Sequence, residues 1–254
     1  MLFQGLFNRE KETYSAMHDG KRITITENGR LKTLKCNGII FSKITQGSLY
    51  AEEYWDFFIP LAYFCPNPRI LMIGLGGGTI AYQLSSMLGN SMDLEIVDID
   101  SWMKEAYLKF LGDKADFRIE IADGAEYVSS KKSSYDIMIL DAYDQNGLIP
   151  SQFQEKKFIA DAYDSIKNQG ILAVNCIGSM IGPGLEQFIQ RLSEMFEVYR
   201  LDTSYRTANI VLVCLKNISK DEMIERINAK MSEDKEKEFL LKAYVSSKRV
   251  FITL

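Results

Sequence analysis

A largely parallel α/β fold is predicted for this 254-residue chain by three observations. Between Arg69 and Asn175, short apolar runs alternate with segments of helical period. The runs are continuous rather than alternating in polarity, and a glycine cluster, Gly74-Leu75-Gly76-Gly77-Gly78, directly follows the first of them. Continuous apolar strands belong to sheets covered on both faces. A glycine turn between a strand and a helix is the usual opening of a nucleotide-binding α/β unit.

From Arg22 to Ile44, β-prone stretches are separated by Asn28-Gly29 and Asn37-Gly38, whose tolerance of positive φ suits type I′ hairpin turns. This predicts a small β-meander and a first domain over residues 1–50, with the nucleotide-binding domain over residues 51–254. The aromatic-rich Leu49–Phe64 segment reads as helix, halted by Pro66-Asn67-Pro68. Strands are expected at Arg69–Ile73, Asp93–Val97, Phe117–Ile121, Asp136–Leu140 and Gly170–Asn175.

One helix face gathers Trp102, Met103, Ala106, Tyr107 and Phe110, and another gathers Phe158, Ile159, Ala162 and Ile166, with Gly170 as its C-terminal cap. After a helix around Leu185–Met195, the β-prone runs Glu197–Leu201 and Asn209–Leu215 follow one another without a helix between them. That succession predicts an antiparallel pair at the sheet edge. From Ser219 onward, spaced apolar residues among charges predict surface helix.

Composition narrows the function. The net charge of −4 disfavours a nucleic-acid partner, which needs a basic stripe. Cys36, Cys65, Cys176 and Cys214 are widely spaced in apolar runs, so neither a zinc site nor a disulfide framework is expected. No apolar run reaches membrane-spanning length, and Met1–Lys11 lacks a leader core, which together predict a cytoplasmic protein with no membrane partner. The one histidine, His18, falls in a polar stretch and reads as a surface residue, so Ser/His/Asp and Cys/His schemes have little support.

The glycine run admits two readings, an ordinary tight turn or a turn that brings backbone close to a nucleotide. The full dinucleotide fingerprint requires glycine at position 79, where this chain has Thr79. Asp98 lies twenty residues beyond Gly78, the spacing at which a carboxylate reaches both ribose hydroxyls, whereas Asp100 reads as a helix N-cap. Further carboxylates follow the third and fourth strands in Asp123-Gly124 and in Asp141-Ala142-Tyr143-Asp144. Singly each is open to a cap or loop reading. Together they line the carboxyl ends of strands, where open α/β sheets bind ligands near the switch in strand order.

In this order, from about Leu34 to Cys176, these residues resemble the spermidine synthase family of aminopropyltransferases, in its branch with an Asp-Ala-aromatic-Asp motif. The resemblance implies a Rossmann-like sheet of the S-adenosylmethionine-dependent methyltransferase type with an N-terminal β-domain that builds homo-oligomers, dimers or tetramers. It implies decarboxylated S-adenosylmethionine (or S-adenosylmethionine) as co-substrate, a small polyamine partner and no metal.

Carried over by position, Gly74, Gly76, Gly77, Gly78, Asp98, Asp123 and Gly124 bind the nucleotide, Asp98 at the ribose and Asp123 at the adenine amino group. Asp141 is the catalytic base, Asp144 holds the amine chain, and Tyr54 lines the polyamine slot. Tyr143 either walls the site or simply packs. Two positions depart from the family: Thr79 stands where an aspartate follows the glycine run, and Phe41 stands for a glutamine. Both weaken recognition of the decarboxylated nucleotide, so methyl transfer and a non-catalytic nucleotide-binding relative are alternatives to aminopropyl transfer.

Overall fold

The computed structural model describes residues 10–89, 91–112, 117–144, 147–177, 183–201, 203, 209–230 and 235–250. Residues 1–9, most of the segment read for a leader, lie outside them.

Four strands, β1 (Lys11–His18), β2 (Lys21–Asn28), β3 (Leu31–Cys36) and β4 (Ile39–Thr45), form an antiparallel meander in sequential order. The first strand was not expected, because its run is polar and mostly exposed. Asn37 and Gly38 both take positive φ (49° and 82°), as a type I′ turn requires. The preceding hairpin turns one residue later than its Asn-Gly pair suggests. Asn28 still pairs with Leu31, and only Gly29 of the turn residues has positive φ.

The helix expected within Leu49–Phe64 is a 3-10 helix, Tyr54–Tyr63. Its interior Pro60 has no N–H to donate. Then come β5 (Arg69–Ile73), α1 (Thr79–Leu88), β6 (Asp93–Asp98), α2 (Ser101–Leu111), β7 (Arg118–Ile121), α3 (Gly124–Ser129) and β8 (Tyr135–Leu140). These are followed by α4 (Lys156–Ser165), β9 (Ile166–Ile177), α5 (Pro183–Ser193), β10 (Glu197–Arg200) and β11 (Asn209–Leu215). The chain continues through α6 (Lys220–Asn228), α7 (Lys235–Val245) and β12 (Lys248–Arg249).

The large sheet runs β12-β10-β11-β9-β8-β5-β6-β7. β7, β6, β5, β8 and β9 are parallel, while β11 is antiparallel to both β9 and β10. The expected switch therefore falls between β5 and β8, which are neighbours.

Alternate residues of each strand feed two cores. Ile70, Met72, Ile137, Ile139, Ile171 and Ala173 join the meander, the 3-10 helix, α1, α2, α6 and α7 on one face. Leu71, Ile73, Met138, Leu140, Leu172 and Val174 join α3, α4 and α5 on the other.

Gly170 is not a helix cap: α4 stops at Ser165, and β9 begins at Ile166, which pairs with Tyr135. Gly170 instead lies within the strand, where a side chain would collide with Ile166 and the Asp136 carbonyl. The C-terminal helices are not merely superficial, because Leu240, Ala243 and Tyr244 are fully buried and the Tyr244 hydroxyl donates to the Phe57 carbonyl at 2.6 Å. His18 is half-buried rather than on the surface, its ring stacked on Trp102 with centroids 6.1 Å apart. All four cysteines are free thiols.

Candidate active site

The carboxyl ends of β5, β6, β7 and β8 form one rim, and the expected acidic residues stand along it. The Gly74 amide bonds the Val97 carbonyl at 2.9 Å, and the Asp141 amide bonds the Ile73 carbonyl at 2.9 Å, so the glycine turn lies between Asp98 and Asp141. A cleft of about 520 Å³ is elsewhere, lined by Glu197, Leu215, Asn217 and Arg249. Because β11 is antiparallel to β9, its last residue Leu215 marks the opposite rim.

The glycines serve close packing within the protein. A Cβ on Gly74 would overlap the Asp141 carbonyl, on Gly77 the Ser42 side chain, and on Gly78 the Tyr107 ring; one on Gly76 would meet only the Phe41 carbonyl, at 3.2 Å. Gly124 is likewise pressed against Ile73 and Phe153. Gly74 also has φ of +92°, so alanine there suffers both backbone strain and a collision with backbone. Gly74→Ala is expected to cost about 3–5 kcal/mol, lowering Tm by roughly 10 °C. A thermal melt within two degrees of the parent would contradict this contact.

Asp98 ties the turn to β6. Its Oδ2 accepts from the Leu75 amide at 2.7 Å and its Oδ1 from the Asp100 amide at 2.9 Å. Burial pushes this carboxyl up, and the backbone amides of Leu75 and Asp100 oppose the rise. Asp100 occupies the N-cap position of α2, but its side chain caps nothing. That role is seen instead at Asp123, which accepts from the Ala125 and Glu126 amides at the start of α3. The second oxygen of Asp123 faces the Gln152 amide at 3.4 Å.

Asp141 is the centre of the rim. Asn175 Nδ2 donates to its Oδ1 at 2.8 Å, and the Tyr54 hydroxyl lies 3.3 Å from both of its oxygens. The carboxylate is half-buried by exposed area, yet enclosed enough that burial pushes its pKa up to about 6 against the opposing donors Asn175 and Tyr54. Tyr54 opens the 3-10 helix and packs against Trp55, the rings tilted by 38° with centroids 4.7 Å apart. Burial and the Asp141 charge hold its hydroxyl well above the usual phenol range. The buried Tyr143 hydroxyl has no partner at full hydrogen-bond geometry among the described residues; the Asn209 side chain is its nearest polar neighbour, and the Asp141 charge faces it.

Asp144 stands apart from this cluster on an exposed loop. Its Oδ1 accepts from the Leu148 amide at 3.0 Å and its own amide bonds the Leu148 carbonyl at 2.8 Å, closing a turn. Thr79 does not present its hydroxyl to the rim: it bonds Ser42 Oγ and accepts from the Lys43 amide at 3.2 Å, clamping α1 to β4. Phe41 packs against the core beneath the meander.

Sequence reasoning missed Asn175 and Asn209. The signal was present, since Asn175 is the one amide in the apolar run Ile171–Ile177 and is 1% exposed. An amide in such a run needs partners, but the sequence does not say which.

Known proteins resemble this chain in sequence and in fold. The spermine/spermidine synthase domain model matches residues 59–210. A polyamine aminopropyltransferase of Thermotoga maritima is 28% identical over 215 residues, covering 80% of this chain and 71% of that protein. A spermidine synthase solved in complex with the transition-state analogue AdoDATO superposes with TM-score 0.65 at 22% identity, covering 92% of this chain and 85% of the other. Human methyltransferase-like protein 13, solved with SAH, has TM-score 0.57 at 19% identity over 73% of this chain and 90% of its own. The two structural likenesses establish the methyltransferase-type fold, and the sequence match across more than half of the chain establishes membership: the chain belongs to the spermine/spermidine synthase domain family.

Proposed function

We infer that the chain is an aminopropyltransferase that moves the aminopropyl group of decarboxylated S-adenosylmethionine to a di- or polyamine. The observation that carries this reading is Asp141: an enclosed carboxylate at the switch between β5 and β8, held by Asn175 and Tyr54 and poised near pH 6.

Transfer is a displacement at a carbon bonded to sulfonium sulfur. The amine lone pair forms the new C–N bond, the C–S pair returns to sulfur, and methylthioadenosine leaves as a neutral thioether. The activated leaving group makes no demand on a metal, but the nucleophile must be a neutral amine, and polyamine nitrogens are mostly protonated at neutral pH. A base near pH 6 matches that need, because it is ionised at neutral pH and has been relieved of part of its hydration.

Asp98 with the Leu75–Gly78 turn is assigned to the ribose side and Asp123 with Gln152 to the adenine side. Tyr54 and Tyr143 are assigned as walls of the amine slot, and the buried Tyr143 hydroxyl is a group a ligand nitrogen would satisfy. Asp144 is assigned to the distal ammonium from the slot mouth, where it is exposed. The same reading makes the enzyme a cytoplasmic homo-oligomer, in keeping with its free thiols and with the exposed Met17, Ile39 and Ile40 of the meander.

Calorimetric titration with decarboxylated S-adenosylmethionine, S-adenosylmethionine, methylthioadenosine and NAD tests the nucleotide class. Product analysis with putrescine, cadaverine and spermidine tests transfer. Tighter binding of the carboxylated nucleotide, with methylated rather than aminopropylated product, would replace this reading by methyl transfer.

A further inference from the structure

Asn175 is a buried amide on β9, in a strand otherwise apolar from Ile171 to Ile177. Burying an amide without partners costs more than burying a hydrocarbon of the same shape. Its two polar ends are used in one direction. Oδ1 accepts from Asn209 Nδ2 at 3.0 Å, and Nδ2 donates to Asp141 Oδ1 at 2.8 Å. Asn209 opens β11, whose Val211 pairs with Asn175, so it reaches Asn175 diagonally along the same sheet face. An amide whose oxygen is engaged by a donor must turn its N–H groups the other way, here onto the carboxylate.

The contacts to Asp141 are unequal. Tyr54 lies at a long 3.3 Å from both oxygens and selects neither, whereas the short Asn175 bond selects Oδ1. Free rotation of the carboxyl would exchange the two oxygens, and Asn175 opposes that exchange.

We propose that Asn175, itself oriented by Asn209, is a positioning residue that anchors Oδ1 of Asp141 and thereby presents Oδ2 to the acceptor amine. The proposal rests on the aminopropyltransferase reading for its catalytic consequence, but the anchoring is a property of the free protein. Neither asparagine is required to touch the reacting atoms.

The test pairs a measurement on the unliganded protein with one on turnover. Carboxyl carbon NMR follows the ionisation of Asp141, assigned by loss of its signal in Asp141→Asn. Asn175→Leu removes a donor that favours the charged form, so the Asp141 midpoint should rise by about one pH unit, and the acid limb of kcat/KM should move with it. kcat at neutral pH should fall by roughly ten- to a hundred-fold, with nucleotide Kd unchanged.

Asn209→Ala removes the bond that orients Asn175 while leaving the Asn175–Asp141 contact itself in place, and should move both quantities in the same direction by less. It decides the matter if Asn175→Leu fails to fold. An unmoved midpoint in the folded variants, or a moved midpoint with full kcat, overturns the proposal. If the parent protein transfers no aminopropyl group while the midpoint still moves, the functional reading falls and the anchoring of Oδ1 stands.

Discussion

Asp141→Asn is expected to lower kcat by about 10²–10⁴-fold, the span a positioned general base supplies, while nucleotide affinity stays within a few-fold. The amide has nearly the shape of the carboxylate and can still accept from Asn175 through its oxygen, so the site is preserved and only proton acceptance is lost. In the parent enzyme, kcat/KM should rise with pH through a midpoint of about 6, because Asp141 accepts a proton only when ionised. Retention of turnover by Asp141→Asn would remove the proposed base.

The same substitution carries a stability signature of opposite sign. A carboxyl whose pKa is raised in the folded protein favours the native state most fully below its unfolded value. That contribution is lost as pH rises from there through about 6. The parent therefore bears a cost at pH 8 that the asparagine variant avoids. A gain of about 1–2 kcal/mol is expected, since each tenfold change in proton affinity is worth about 1.4 kcal/mol and partial exposure discounts it. Thermal melts should show the variant higher by about 2–4 °C per kcal/mol at pH 8, with the difference closing toward pH 4. Equal melting temperatures across that range would mean that Asp141 is not under strain from burial.

Asp98→Ala should act on binding instead. One oxygen of Asp98 holds the Leu75 amide of the glycine turn and the other the Asp100 amide that precedes α2, and hydrogen bonds to charged groups are worth about 1.5–3 kcal/mol. Loss of the carboxylate frees the Leu75 end of the turn and removes the acceptor assigned to the ribose. Kd for the decarboxylated nucleotide should rise by roughly 10- to 100-fold, with little change in kcat once the enzyme is saturated. Asp98→Asn keeps one oxygen acceptor and should fall between the two. Unchanged nucleotide affinity in Asp98→Ala would detach this residue from the nucleotide site.

What was legible in the amino-acid order was local. Continuous apolar runs marked Arg69–Ile73 and Asn209–Leu215 to the residue, because a strand buried on both faces leaves no room for polarity. Carboxylates at strand ends marked the rim, because parallel strands all deliver their carboxyl ends to the same side of the sheet. The polar β1 was invisible, since its pairing with β2 depends on backbone rather than on an apolar pattern. Gly170 misled because glycine ends helices and also permits close packing in strands, and only the neighbouring Ile166 and Asp136 distinguish the two uses.

The sequence alone determined the layered α/β plan, the switch point and the identity of the carboxylates on its rim, since each follows from local polarity and from the geometry shared by all parallel sheets. Tertiary structure decided how those groups are used. It drew Thr79 and Gly77 onto the meander, placed Asp144 in a turn, and brought Tyr54, Asn175 and Asn209 to Asp141 from segments distant in sequence. The ionisation of a carboxylate depends on the donors and the solvent within a few ångströms of it, and those neighbours exist only once the chain has folded.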